Sequence, residues 1–234
     1  MIWQSAEIKN AKAIPGIYVT EDKVILQVGG QVEVQYRRTT PNGTETGVIT
    51  ENVKPLNVQC FNAITGEQLW ESEKMKKGLT NLFLWGNSVI VCSGKALYSL
   101  DIATGKENYE KPLKEDNIGE AHQIIDFKDQ VVIIGEKGVS SRKKADGSFT
   151  TSSKFRKSTP LTDSQDNMIF GDNTLALVTE ASDYAVYDLT TVKYKRYNAR
   201  KDAQAYLADD GLNLYVFEPG NMMRKSKVTK LSAK

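Results

Sequence analysis

Five segments of the chain share one alternation: an apolar strand, a two-residue polar turn, and a second apolar strand. They are GIYVTEDKVILQV from Gly16, NLFLWGNSVIVCS from Asn81, QIIDFKDQVVIIG from Gln123, NMIFGDNTLALVT from Asn167 and QAYLADDGLNLYVF from Gln204. Aligned on the turn residue before the second strand, Asp22, Asn87, Asp129, Asn173 and Asp210 coincide, at separations of 65, 42, 44 and 37 residues. A period near 40 residues marks a repeat architecture, and it must be settled before any local assignment.

A second unit follows the first. VQCFNAITGEQLW, Val58 to Trp70, recurs as LYSLDIATGKENY, ending at Tyr109. In both, an alternating strand ends at Asn62 or Asp101, a Thr-Gly pair follows, and an aromatic residue stands eight positions beyond the Asn or Asp. The glycine supplies positive φ, and the polar side chain bonds the turn backbone, so each copy reads as a β-hairpin. The third unit, residues 121–157, carries Ala145-Asp146-Gly147 instead. The fourth keeps Val186 to Thr191 and then places Val192 where the glycine belongs. Two strand pairs per unit predict an all-β fold, a β-propeller of four-stranded antiparallel blades, with residues 1–234 forming a single domain.

The ends read as complementary. Ile2-Trp3-Gln4-Ser5 matches Leu69-Trp70-Glu71-Ser72, the outer strand of the first full unit, whereas the fifth strand pair is followed by one further strand within Asn221 to Leu231 and no Thr-Gly turn. This predicts five blades, with residues 1–9 supplying the outer strand of the last; a fragment of a larger propeller is the alternative. Closure removes the sheet edges that otherwise aggregate. Residues 31–56 form an insertion in the first blade: Val32 to Arg38 and Thr46 to Val53 are strand-like and flank Pro41-Asn42-Gly43, a turn signal. Its hairpin, with Tyr36, Arg37, Arg38 and Asn42, is a candidate protein-partner contact. Asn42-Gly43-Thr44 also fits a glycosylation acceptor, a pattern that Asn-Gly turns imitate.

Charge adds little to this picture: 31 Lys and Arg face 29 Asp and Glu, which argues against whole-domain attraction to nucleic acid or membrane. Local basic runs, Arg142 to Lys144, Lys154 to Lys157 and Arg224 to Lys234, read as solvated edges, with a polyanion-binding face as the alternative. No apolar run approaches 18 residues, and the first residues lack the pattern of a signal peptide. The two cysteines, Cys60 and Cys92, stand at apolar strand positions in neighbouring units and read as buried free thiols, a disulfide being the alternative.

The segments Phe61 to Trp70 and Leu100 to Tyr109 resemble the repeat of quinoprotein-type β-propellers, the pyrroloquinoline-quinone-like repeat. The resemblance implies the propeller fold. The family includes quinone-dependent alcohol dehydrogenases and non-catalytic scaffolds such as the outer-membrane assembly lipoprotein and luminal sensor domains. Its enzymes are larger, and many carry adjacent cysteines near the quinone. Here Cys60 and Cys92 are far apart, and no Glu, Asn and Asp set for calcium stands out. The resemblance therefore implies the non-catalytic branch with no cofactor, and an extracytoplasmic or cell-envelope setting.

Candidate ligand residues come from the alignment. Six positions before each turn residue stand Gly16, Asn81, Gln123, Asn167 and Gln204, with Thr80, His122 and Asp166 one position earlier than three of them. On the innermost strands these would ring the channel mouth, where amides offer both donors and acceptors. The same residues would serve a propeller equally by bonding channel water and neighbouring blades. His122, the one histidine, has no partner at metal-ligand spacing. Glu136, Glu180 and Glu218 fall at or near one register on the face of the insertion, where paired carboxylates could serve glycoside cleavage or calcium.

Three classes of function follow: a non-catalytic binding module holding a protein partner, a small-ligand or carbohydrate-binding propeller, and an enzyme, either quinone-dependent or a glycosidase. The first is favoured, as a monomer that does not insert into membranes.

Overall fold

The computed structural model describes residues 3–5, 7–8, 11–40, 43–155, 168–171, 173–180, 183–200, 202–209 and 213–232. Among them there is no helix, and the strands form five antiparallel sheets in chain order. The first sheet holds β1 (Gly16–Val19), β2 (Lys23–Thr40), β3 (Gly43–Asn62) and β4 (Gln68–Glu71). The second holds β5 (Leu79–Trp85), β6 (Ser88–Ser93), β7 (Ala96–Asp101) and β8 (Glu107–Pro112). The third holds β9 (Ala121–Phe127), β10 (Gln130–Gly135), β11 (Gly138–Lys143) and β12 (Phe149–Lys154). The fourth holds β13 (Met168–Gly171), β14 (Thr174–Glu180), β15 (Asp183–Asp188) and β16 (Tyr194–Asn198), and the fifth has three strands, β17 (Gln204–Leu207), β18 (Asn213–Glu218) and β19 (Lys227–Ser232).

The repeat has a hydrogen-bonding cause. The carbonyl of Asp22 accepts from Ala63 N at 2.9 Å, that of Asn87 from Ile102 N at 2.9 Å, that of Asp129 from Lys144 N at 3.0 Å and that of Asn173 from Leu189 N at 3.0 Å. Each first turn is thus tied to the residue just past the third strand. In the hairpin that follows, Asn62 Oδ1 accepts from Ile64 N and Thr65 N, and Asp101 Oδ1 from Ala103 N and Thr104 N. Four residues on, Gly66, Gly105, Gly147 and Val192 all take left-handed φ, at 75°, 71°, 67° and 54°.

Apolar side chains fill the spaces between successive sheets. Ile25, Val58 and Cys60 of the first pack on Leu82, Val89 and Val91 of the second; Ile90, Cys92 and Leu97 pack on Ile124, Val131 and Ile133. Val132, Val139 and Phe155 meet Leu175, Tyr187 and Val192, and Tyr184 and Val186 meet Leu214, Val216 and Leu231. Each middle sheet is apolar on both faces, which is why its second strand reads as an unbroken apolar run. Cys60 and Cys92 are both buried and free.

Two differences from the sequence reading stand out at the ends. The last strand begins at Lys227, so residues 219–226 are a connection; and residues 3–5 form no strand, leaving the fifth sheet with three strands among the described residues. Trp3 is nevertheless seated on the first sheet. Its indole Nε1 donates to Ala63 O at 2.9 Å, and its ring lies over Gly66. Ile8 and Ala11 continue across the outer face of that sheet onto Leu26, Val28 and Phe61.

Candidate functional site: the inserted hairpin and the predicted amides

The hairpin is the continuation of the first sheet's two middle strands. β2 and β3 pair from Lys23–Asn62 to Thr40–Gly43, with one register shift between Val28 and Gly30. Gly29 stands at that shift with φ 74°, and a Cβ there would lie 1.8 Å from Pro55 O, so only glycine fits. Beyond it, Arg37 and Arg38 are exposed, opposite Thr46 and Glu45. Tyr36 pairs with Gly47 in the ladder. Asn42 lies outside the described residues.

The base of the hairpin leans on the next two sheets. Gln31 Nε2 lies 3.1 Å from His122 Nδ1 in β9, and the Asn52 amide closes over Gly78, where a Cβ would stand 2.3 Å from Asn52 Oδ1. His122 Nε2 is buried with no hydrogen-bond partner. Nothing in the alternation of the sequence marks Gln31 or Asn52; they follow a register shift that the pattern does not encode.

The predicted amides take different roles. Asn81 spends both ends of its side chain on β9: Nδ2 donates to Ile124 O at 2.9 Å and Oδ1 accepts from Ile124 N at 2.9 Å. It stands inside a register shift of β5, beside buried Thr80, whose hydroxyl accepts from Cys92 N at 3.1 Å. Gln123 is half-buried in β9. Gln204 is exposed, and its Oε1 accepts from Tyr206 OH at 2.7 Å. Asn167 and Asp166 lie outside the described residues.

The carboxylates of Glu136 and Glu218 are tied down within or beside their own sheets. Glu136 Oε2 accepts from Glu120 N at 3.3 Å, and Glu120 pairs with Lys77 at 2.8 Å. That pairing holds the Glu120 carboxyl below its ordinary range and raises the Lys77 ammonium above its own. Glu218 is buried; it accepts from the Tyr197 hydroxyl and from Arg200 N at 3.0 Å, with Arg200 Nε at 3.4 Å and Lys227 Nζ at 3.9 Å. The Tyr197 hydrogen bond, aided by Arg200 and Lys227, pulls its carboxyl down. Glu180 closes β14 opposite Asp183. Among the described residues no three His, Cys, Asp or Glu side chains gather as a metal-ion set.

One expectation is corrected. Arg142 and Lys144 are not solvated edges. Arg142 is 1% exposed and forks onto Asp116, Glu115, Pro112 O and Gly147 O; Lys144 is 2% exposed and bonds Asp126 and Lys128 O. Burial of these charges is tolerated because a carboxylate and at least one backbone carbonyl accept from each of the two side chains. With Arg142 and Lys144 so occupied, no polyanion-binding face forms around them. Arg156 and Lys157 lie outside the described residues.

Exposed apolar side chains gather on the fifth sheet. Tyr206, Tyr215, Phe217 and Val228 point from the face opposite the buried Leu214 and Val216, and Ile17 and Val19 are exposed on β1 of the first sheet.

No protein-family model and no curated protein sequence matches the chain. Solved structures do. The chain is similar to the computationally designed Ika8 protein at a TM-score of 0.54 and 16% identity, over 92% of this chain and 70% of that one. It is similar to BamB from Moraxella catarrhalis at a TM-score of 0.52 and 14% identity, over 92% of this chain and 72% of that one. A third match, the designed Ika4 protein, has a TM-score of 0.52 and 12% identity over 85% of this chain and 97% of that one. At such identities the likeness shows the fold alone, and that fold is the β-propeller.

Proposed function

We propose that this chain is a non-catalytic β-propeller module that holds a protein partner through the inserted hairpin and the rim around it. The observation that carries this reading is the hairpin itself. A ladder running out to Thr40–Gly43 is anchored at its base by Gln31 on His122 and by Asn52 over Gly78, and presents Arg37 and Arg38 to solvent. A hairpin footed on two neighbouring sheets is preorganised for a partner, since little ordering remains to be lost on binding. The test is site-specific photo-crosslinking in cells from positions 37 and 38, with Lys106 on another rim as control. A discrete protein adduct from the hairpin positions alone is expected; the same adducts from the control position would overturn the reading.

The module is proposed to be a five-bladed ring in which residues 1–9 complete the last blade. Two features support this: Trp3 sits on the first sheet as Trp70 sits on the second, and the fifth sheet is one strand short, with β19 at its edge. A cysteine pair linking residue 4 to β19 should form a disulfide in the monomer if the ring closes; failure to form it under oxidation would sink the closure.

A second reading, a small polar ligand at the channel mouth, is favoured by His122 Nε2, buried without a partner next to Gln31. It is checked by titrating sugars and cations against the thermal midpoint of the chain and of His122→Ala. A shift confined to the parent chain supports the reading; no shift with any titrant removes it.

A further inference from the structure

In three of the five sheets the second and third strands are joined by two residues: between β6 and β7, between β10 and β11, and between β14 and β15. The two exceptions are the first sheet, where the connection is the long hairpin, and the fifth, where eight residues join β18 to β19. Because these connections are equivalent in the repeat, both emerge from the same end of their sheets.

The fifth-sheet connection is a braced turn. Asn221 and Arg224 bond each other's backbone, N to O, at 2.9 and 3.1 Å, and Asn221 Oδ1 accepts from Met223 N at 3.0 Å. Below the turn, Gly220 N donates to Ser226 Oγ at 2.9 Å. Arg200 clamps both legs, Nη1 on Pro219 O at 2.8 Å and Nη2 on Lys225 O at 3.2 Å. At the tip stand Met222 and Met223, 106% and 94% exposed, followed by exposed Arg224 and Lys225.

Two adjacent apolar side chains held in water by a fixed turn cost solvation for no contact in the fold. We infer that this turn is a membrane-surface contact: Met222 and Met223 enter the interfacial region of an anionic bilayer while Arg224 and Lys225 meet its phosphates. Three observations favour lipid over a protein groove. The tip presents only two side chains, far less than the roughly 800 Å² per partner of a stable protein interface. The leg that leaves it is cationic, with Arg224 and Lys225, and the acid below it, Glu218, is already neutralised by Arg200 and Lys227. A projecting apolar tip with a basic collar also satisfies the two requirements of peripheral binding, apolar insertion and attraction to anionic headgroups. The contact is superficial and spans nothing.

The test is co-sedimentation of the full chain with vesicles of phosphatidylcholine alone and of phosphatidylcholine mixed with phosphatidylglycerol. Binding to the mixed vesicles only is expected, weakening as salt screens the collar. Met222→Ser and Met223→Ser should each lower the partition coefficient about tenfold, with the far-ultraviolet spectrum unchanged because neither side chain touches the core. Met222→Trp should show a blue-shifted emission on the mixed vesicles. Absence of binding by the parent chain overturns the inference, and so does undiminished binding by the double serine variant, which would leave the cations acting alone. A discrete protein, rather than lipid, cross-linked through position 222 in intact cells overturns it as well.

Discussion

The indole of Trp70 lies where a side chain on Gly105 would have to stand: a Cβ there would be 2.5 Å from the Trp70 ring, and Trp70 Nε1 donates to Ile102 O at 3.0 Å. The same relation joins Trp3 to Gly66 and Tyr109 to Gly147, with Tyr109 OH donating to Lys144 O at 2.8 Å. An aromatic at the end of one sheet therefore caps the turn of the next. Gly105→Ala combines left-handed strain with a collision and should destabilise the chain by about 2–4 kcal/mol. Gly86→Ala, also at positive φ but with nothing within 4 Å of a Cβ, should cost only about 1 kcal/mol. Urea denaturation of the two variants checks the difference.

The fourth sheet obeys the same rule in reverse. At the register of Trp70 and Tyr109 the third sheet has Thr151, so no ring arrives, and Val192 accepts φ 54° while burying its own side chain in the core between the third and fourth sheets. Val192→Gly relieves strain of about 1–2 kcal/mol but removes a buried apolar side chain worth about 1.5–3 kcal/mol. A net loss of about 1 kcal/mol or less is expected from the same denaturation series, in contrast to the large loss on adding a side chain at Gly105.

Arg142 and Asp116 join the third sheet to the loop that enters it. Asp116→Ala leaves a buried guanidinium short of acceptors and should cost about 3–5 kcal/mol; replacing both residues by leucine should cost less than the single change. Thermal midpoints of the two variants decide it.

Glu218 and Glu120 both bind protons less readily in the folded chain than when unfolded. Their contribution is present above the ordinary carboxylate range, about pH 4.3, and is lost as pH falls through the lower folded values. Glu218→Gln should flatten the fall in denaturation midpoint between roughly pH 5 and 3, and Lys77→Met should flatten it less, since the Lys77 pair is exposed.

The thiols should be silent. Burial pushes Cys60 up to about 11 and Cys92 higher still. Neither should react with iodoacetamide at pH 8 in the native chain, and both should react in urea; rapid native alkylation of either would contradict its packing.

Much of this architecture can be read from the chain because its repeats repeat a hydrogen bond. Asp22, Asn87, Asp129 and Asn173 align since each offers its carbonyl to the same turn, and Trp3 could be matched to Trp70 because both fill the same kind of seat. What the alternation hides is burial that depends on distant partners. Arg142 and Lys144 look like surface charge until Asp116 and Asp126 are placed beside them, and Asn81 looks like a channel ligand until Ile124 takes both of its bonds. The hairpin was legible as a hairpin; its footing on His122 and Gly78 was not, because polarity patterns carry no information on contacts between sheets.

The caps impose a grammar on sheet order. An outer strand carrying tryptophan or tyrosine at the register of Trp70 must precede a sheet whose turn has glycine, and one carrying threonine there can precede a sheet whose turn fills its own hollow. Sheets that share the aromatic-glycine pair could be duplicated or exchanged among themselves without disturbing a junction. Moving the outer strand of the second sheet in front of the fourth would drive the Tyr109 ring into Val192, so the position of that sheet in the sequence is held by a single side chain.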